Sequence, residues 1–158
     1  MPINATKKTK LAHKKTLLAL FILIFIALIC LTIFLAKTNS NNIVKVQIGS
    51  TNYSLELVNT DVTRQQGLSG KPKLEPNTGM LFDFKQNGYW QIWMKDMNFA
   101  IDILWLNNQK QVVGVKQDAL PQNYPETYGA EQQSQYVIEL PAGSVKERNI
   151  KIGDTLSW

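Results

Sequence analysis

The sequence predicts a mainly β (α+β) fold: a compact single-domain β-sheet or barrel-like structure with one or two short helices, preceded by one transmembrane helix. Three observations lead there. Eight short segments of residues 43–158 have strand character. Clusters of Gly, Pro and Asn divide them at turn-like intervals. One long apolar run, from Thr16 to Ala36, stands apart near the N-terminus.

Val44, Val46 and Ile48 alternate with Lys45 and Gln47, the period of a half-buried strand. Gly49 to Asn52 supplies turn chemistry, and Tyr53, Leu55 and Leu57 resume the alternation, so a hairpin is expected. Asn59, Thr60 and Asp61 are good N-cap residues for a short helix from Asp61 to Gln66, stopped by Gly67. After the breakers Pro76 and Gly79, Met80–Phe84 reads as a strand. In a strand over Tyr89–Lys95, Trp90, Ile92 and Met94 would share one face and Tyr89, Gln91, Trp93 and Lys95 the other. Ile101–Leu106 is a further strand, turned at Asn107-Asn108 into Val112–Val115. A polar loop over residues 118–134 leads to strands at Tyr136–Leu140 and Thr155–Trp158, with a helical or turn piece near Gly143–Arg148 between them.

The run Thr16–Ala36 contains 21 residues, which would span roughly 32 Å as a helix against a hydrocarbon core of about 30 Å. Five lysines precede it and only Lys37 follows closely. That asymmetry predicts a cytoplasmic N-terminus and an extracytoplasmic remainder. The run is longer than a signal-peptide core, and Phe34 stands where a small residue would precede cleavage after Ala36. Cys30 follows Ile29 deep in the run, which disfavours a lipoprotein. The expected organisation is a basic cytoplasmic tail (1–15), a transmembrane helix (16–36) seated in the cytoplasmic (inner) membrane, a polar tether (37–42) and an extracytoplasmic mainly β domain (43–158).

The sequence pI of 9.3 misleads about that domain. Six of the 17 basic residues lie in residues 1–40, leaving 11 against 12 acids beyond. Such a domain has no basic stripe to follow a phosphate backbone, so a nucleic-acid partner is not expected. Its 118 residues (41–158) suffice for one core. They hold no cysteine and no histidine, since Cys30 and His13 both lie before them. This excludes from the domain a Ser-His-Asp triad, a Cys nucleophile and a His/Cys zinc site. Carboxylate, lysine, hydroxyl and thioether chemistry remain, and the identity of any cofactor stays open.

The series Gly79-Met80-Leu81-Phe82, Trp93-Met94-Lys95-Asp96 and Ile101-Asp102-Ile103 resembles the domain of unknown function 192 family, small bacterial and archaeal proteins often exported or membrane-anchored. The likeness continues through Arg64, Gly67-Leu68-Ser69-Gly70, Tyr136–Leu140, Ala142-Gly143 and Gly153-Asp154. One departure is Ala100, where the family commonly has proline. The resemblance implies a compact, mostly β fold and brings no assigned reaction.

Asp102 lies in Ala-Ile-Asp-Ile-Leu-Trp-Leu, apolar on both faces of its strand. An unpaired buried carboxylate is costly, so a partner or a proton is expected. Arg64, one of only two arginines, is the natural partner for a bridge pinning helix to sheet. Trp93, Lys95 and Asp96 could form a ligand-binding lip with Arg64 and Asp102, provided the chain bends after Lys95. Asp96 with Asp102 could instead serve as an acid/base carboxylate pair. Met80, Met94 and Met97 offer soft ligands for Cu(I), against the ordinary role of methionine as core filler; no metal site is the leading expectation. Asp83 and Glu139 read as cross-strand partners for lysines.

Two functions follow as expectations. The first is a non-enzymatic binding module for an envelope protein or glycan ligand. The alternative is a carboxylate enzyme acting on a cell-wall or polysaccharide substrate through Asp96 and Asp102.

Overall fold

The computed structural model describes residues 18, 20–30, 32 and 42–158. The chain divides into two units, Met1–Ser40 and Asn41–Trp158. In the first, residues 20–30 are helical (α1) and all are exposed. These 11 residues reach about 16 Å, and no helix among the described residues is long and apolar enough to cross a membrane. Apart from Leu18 and Thr32, the rest of the expected 16–36 span, the basic tail 1–15 and residues 37–41 lie outside the described residues.

The second unit is built on a six-stranded sheet. Its strands are β1 (Ile43–Ile48), β2 (Thr51–Val58), β3 (Thr78–Gly88), β5 (Ile101–Leu106), β6 (Val112–Ala119) and β8 (Ser134–Pro141). They run in the order β1-β2-β3-β8-β5-β6, and β4 (Ile92–Trp93) pairs β7 (Thr127–Tyr128) in a separate ribbon. Only β2 and β3 are parallel. Their crossover carries helix α2 (Asp61–Gln66), while α3 (Ser144–Arg148) follows β8.

Three sequence expectations need correction. The sheet is open, with β1 and β6 at its edges, so the fold is not a barrel. The strand expected over Thr155–Trp158 reduces to single bridges, Ser157 with Gln47 of β1 and Thr155 with Gln111 beside β6. One C-terminal segment thus touches both edge regions and shields them without lengthening either ladder. The strand expected over Tyr89–Lys95 is also short, but its alternation survives: Ile92 and Met94 are buried, Trp90 is half-buried, and Tyr89, Gln91, Trp93 and Lys95 are exposed.

Both faces of the sheet are covered, which is why all six residues of β5 are buried. Pleating sends Leu104, Leu106, Ile138 and Leu140 to one face, where they pack with Val145 of α3 and Leu156. Ile101, Ile103, Trp105 and Val137 go to the other, against Leu68, Ile92 and Met94. Asp102 falls on the first face by this alternation, and Glu139 on the second.

Gly79 makes the centre of the sheet possible. A Cβ built there would lie 2.2 Å from the Glu139 carbonyl oxygen. Any side chain at this position would drive β3 away from β8.

Candidate functional site

Helix α2 is set by its caps. Thr60 accepts from the Thr63 backbone N–H at 3.2 Å, and Thr63 Oγ1 accepts from the Thr60 N–H at 3.1 Å. Gly67 ends the helix at φ +50 and donates to the Thr63 carbonyl. The short helix aims Arg64 at β3. Its Nη1 donates to the Asp83 carbonyl at 2.8 Å, its Nη2 meets the Asp61 carboxylate, and its guanidinium lies 5.2 Å from the centre of the Phe84 ring. That ring stacks on Trp90 at 4.0 Å. Trp90 is held in turn by its Nε1, which donates to the Ser134 carbonyl at 2.8 Å.

The expected Arg64–Asp102 bridge is therefore not formed. Asp102 is fully enclosed on the opposite face. Its Oδ1 accepts from the Asp118 N–H at 2.9 Å, and its Oδ2 accepts from the Val145 N–H at 2.8 Å. The first donor belongs to an irregular part of β6, where Asp118 takes φ 51. The second is an otherwise orphaned donor in the first turn of α3. Backbone amides, rather than a cation, satisfy this acid, and they fasten α3 and β6 to the sheet.

Beneath α2 the second face opens into a cleft of about 340 Å³. Its walls are α2, Gly67–Ser69, Phe82 and Phe84 of β3, and Gln91–Trp93 with Met97. Its floor includes Glu139, which is 5 % exposed. In the ladder Glu139 stands between Met80 of β3 and Ile103 of β5, so the expected cross-strand lysine is absent. Burial alone pushes its carboxyl up to about 8. Asp83, expected like Glu139 to face a cross-strand lysine, lies opposite Tyr136 and pairs instead with Lys85 of its own strand at 2.7 Å. Burial acts to raise its carboxyl, but hydrogen bonds from Lys85 and Gln135 and the Lys85 charge outweigh that and lower it.

The other expected site residues separate. Trp93 lines the cleft and is 46 % exposed. Lys95 and Asp96 line an adjoining depression of about 330 Å³ with Val62, Gln65, Gln66, Ser69 and Trp93. The chain bends there, with Asp96 at φ 56. Ser69 Oγ donates to the Lys95 carbonyl at 2.8 Å, and the Gly70 N–H donates to the Asp96 carbonyl at 2.9 Å. These bonds tie the glycine loop after α2 to the bend. Met80 and Met94 are buried core residues, and only Met97 of the three reaches the cleft. Among the described residues no group of three or more His, Cys, Asp and Glu could hold a metal ion. The structure thus brings Arg64 and Trp93 to one cleft, puts Lys95 and Asp96 next door, and leaves Asp102 behind the sheet.

Two solved structures are similar to this chain. One is a Sinorhizobium meliloti protein provisionally labelled a transcription regulator, 28% identical over 72% of this chain and 89% of its own, with a TM-score of 0.67. The other is a protein of unknown function from Novosphingobium aromaticivorans, 24% identical over 73% of this chain and 85% of its own, also with a TM-score of 0.67. A search of curated proteins finds no match. The profile of the DUF192 family, described as uncharacterized ACR, matches residues 44–158.

Proposed function

The chain belongs to the DUF192 family, and from that premise we propose that residues 43–158 are a non-enzymatic binding module whose ligand enters the cleft beneath α2. The observation that carries this reading is Glu139, a carboxyl buried at the cleft floor and raised to about 8 by desolvation. Buried polar groups are ordinarily hydrogen-bonded within the protein. One left facing a cleft of mixed polar and apolar lining is suited to a polar group brought in from outside.

The module is held at the outer face of the cytoplasmic membrane by residues 16–36, and meets an envelope ligand or partner protein there. The apolar run and the lysines before it support this placement. An enzyme pairing Asp96 with Asp102 has less support, because Asp102 is enclosed with both oxygens occupied while Asp96 is exposed on the other side. The regulator label stays with the Sinorhizobium protein. In this chain the 11 basic and 12 acidic residues beyond residue 40 nearly balance, which lends no support to a phosphate-backbone partner.

Native mass spectrometry of the full chain, purified from its host in mild detergent without chelators, tests the reading. A small-molecule adduct is expected, lost when Gln66→Trp fills the cleft mouth. A bare chain would rule out a retained small ligand and leave only the partner protein, and an adduct unchanged by that substitution would contradict the cleft as its site.

A further inference from the structure

The cleft presents very uneven chemistry. Asp61 and Arg64 neutralise one another at its rim. Arg64 is further committed to the Asp83 carbonyl and the Phe84 ring, with only 16% of its side chain exposed. Other charged groups around the floor are paired or line the next depression: Glu56 of β2, in one row with Met80 and Glu139, pairs with Lys71 at 2.8 Å. Asp83 and Lys85 of β3 pair with each other. Lys95 and Asp96 of the bend line the neighbouring depression. The β5 residues on this face, Ile101, Ile103 and Trp105, carry no charge. Glu139 is thus the one acid among the described cleft residues with no counter-charge.

We propose, resting on the binding-module reading, that the cleft takes an organic cation, an ammonium or guanidinium group whose charge meets the Glu139 carboxylate and whose apolar body lies against Phe82 and Trp93. Aromatic faces attract cations; both faces of Phe84 are taken, by Arg64 and Trp90, which leaves the half-exposed Trp93 as the aromatic open to one. The thioether of Met97 adds a polarizable surface. An anion would find its one possible partner, Arg64, already engaged. The cleft volume of about 340 Å³ sits at the small end of ligand sites.

Binding carries a proton balance. Near neutral pH the Glu139 carboxyl, raised to about 8, holds its proton. Arrival of the cation releases that proton to solvent and leaves a carboxylate–cation pair. Affinity for a permanent cation therefore rises with pH until the carboxyl is ionised without help.

Calorimetry on the full chain with phenyltrimethylammonium, whose charge does not titrate, tests this, with benzamide and 3-phenylpropionate as neutral and anionic probes. Between pH 6.5 and 9 the ionised fraction of a group titrating at about 8 rises from about 3% to about 90%, so cation affinity should increase about 30-fold. Glu139→Gln should abolish that dependence, and Gln65→Glu on the exposed face of α2 should tighten cation binding several-fold. If benzamide or 3-phenylpropionate binds more tightly than the cation, the cation assignment fails and the binding-module reading stands. If none of the three binds, or the cation binds without pH dependence, the inference is overturned. The native mass measurement then judges the broader reading separately.

Discussion

Asp102 and Glu139 are near neighbours in the ladder that solve burial in opposite ways. Asp102 pairs with Leu140 and Ile103 with Glu139, so the two acids sit on adjacent strands and point to opposite faces. Asp102 is enclosed and accepts two backbone N–H groups, one from the bulged β6 and one from α3. Glu139 faces a cleft and is governed by desolvation alone. The first acid is consumed by the fold, and the second is left over from it. Burial of an acid therefore marks a functional candidate only after its protein donors have been counted.

The largest effect that could break this comparison is a pH dependence from Glu139. Its carboxyl ionises near 4.5 in the unfolded chain and at about 8 in the folded one. Between those values the unfolded chain has released a proton that the native state keeps. Stability consequently falls as pH rises from 4.5 to 8 and levels off above, a loss on the order of 5 kcal/mol. Glu139→Gln should remove that slope. In urea unfolding the variant should match the parent near pH 4.5 and exceed it by up to about 5 kcal/mol at pH 9. Parallel curves for the two proteins would mean that the carboxyl is not desolvated.

Asp102→Asn should act the other way. The amide keeps one acceptor oxygen but turns an NH₂ group toward one of the two backbone donors. The loss of a charge-assisted bond and an orphaned N–H should cost about 3 kcal/mol, read as a shift in urea midpoint. A neutral outcome would show that Val145 and Asp118 do not depend on this acid. The smallest change is expected at Asp96, which is exposed at φ 56. Asn tolerates that left-handed geometry, so Asp96→Asn should alter stability by less than about 0.5 kcal/mol and leave ligand adducts intact.

The sequence made the strand periods, the hairpin at Gly49 and the limits of α2 legible, because alternation and caps are local signals. It also exposed Asp102, an acid in an apolar strand. The same signal was present in Tyr136-Val137-Ile138-Glu139-Leu140 and pointed to Glu139. What could not be read was which acid receives donors from elsewhere in the chain. That depends on the β5–β6–β8 register, on Asp118 in its bulge and on the N-terminal turn of α3, all set by long-range packing. The partner of Arg64 was hidden for the same reason. Asp61, three residues away on the helix, was the local alternative. The open sheet was equally hidden, since strand alternation does not say whether the edges meet.

The most direct test of the account is a carbon-13 NMR titration of the Glu139 side-chain carboxyl in the full chain, assigned by its loss in Glu139→Gln. A midpoint at about 8 would establish the desolvated acid on which the cleft reading depends. A midpoint near the ordinary 4.5 would contradict it and leave the cleft floor without its defining chemistry.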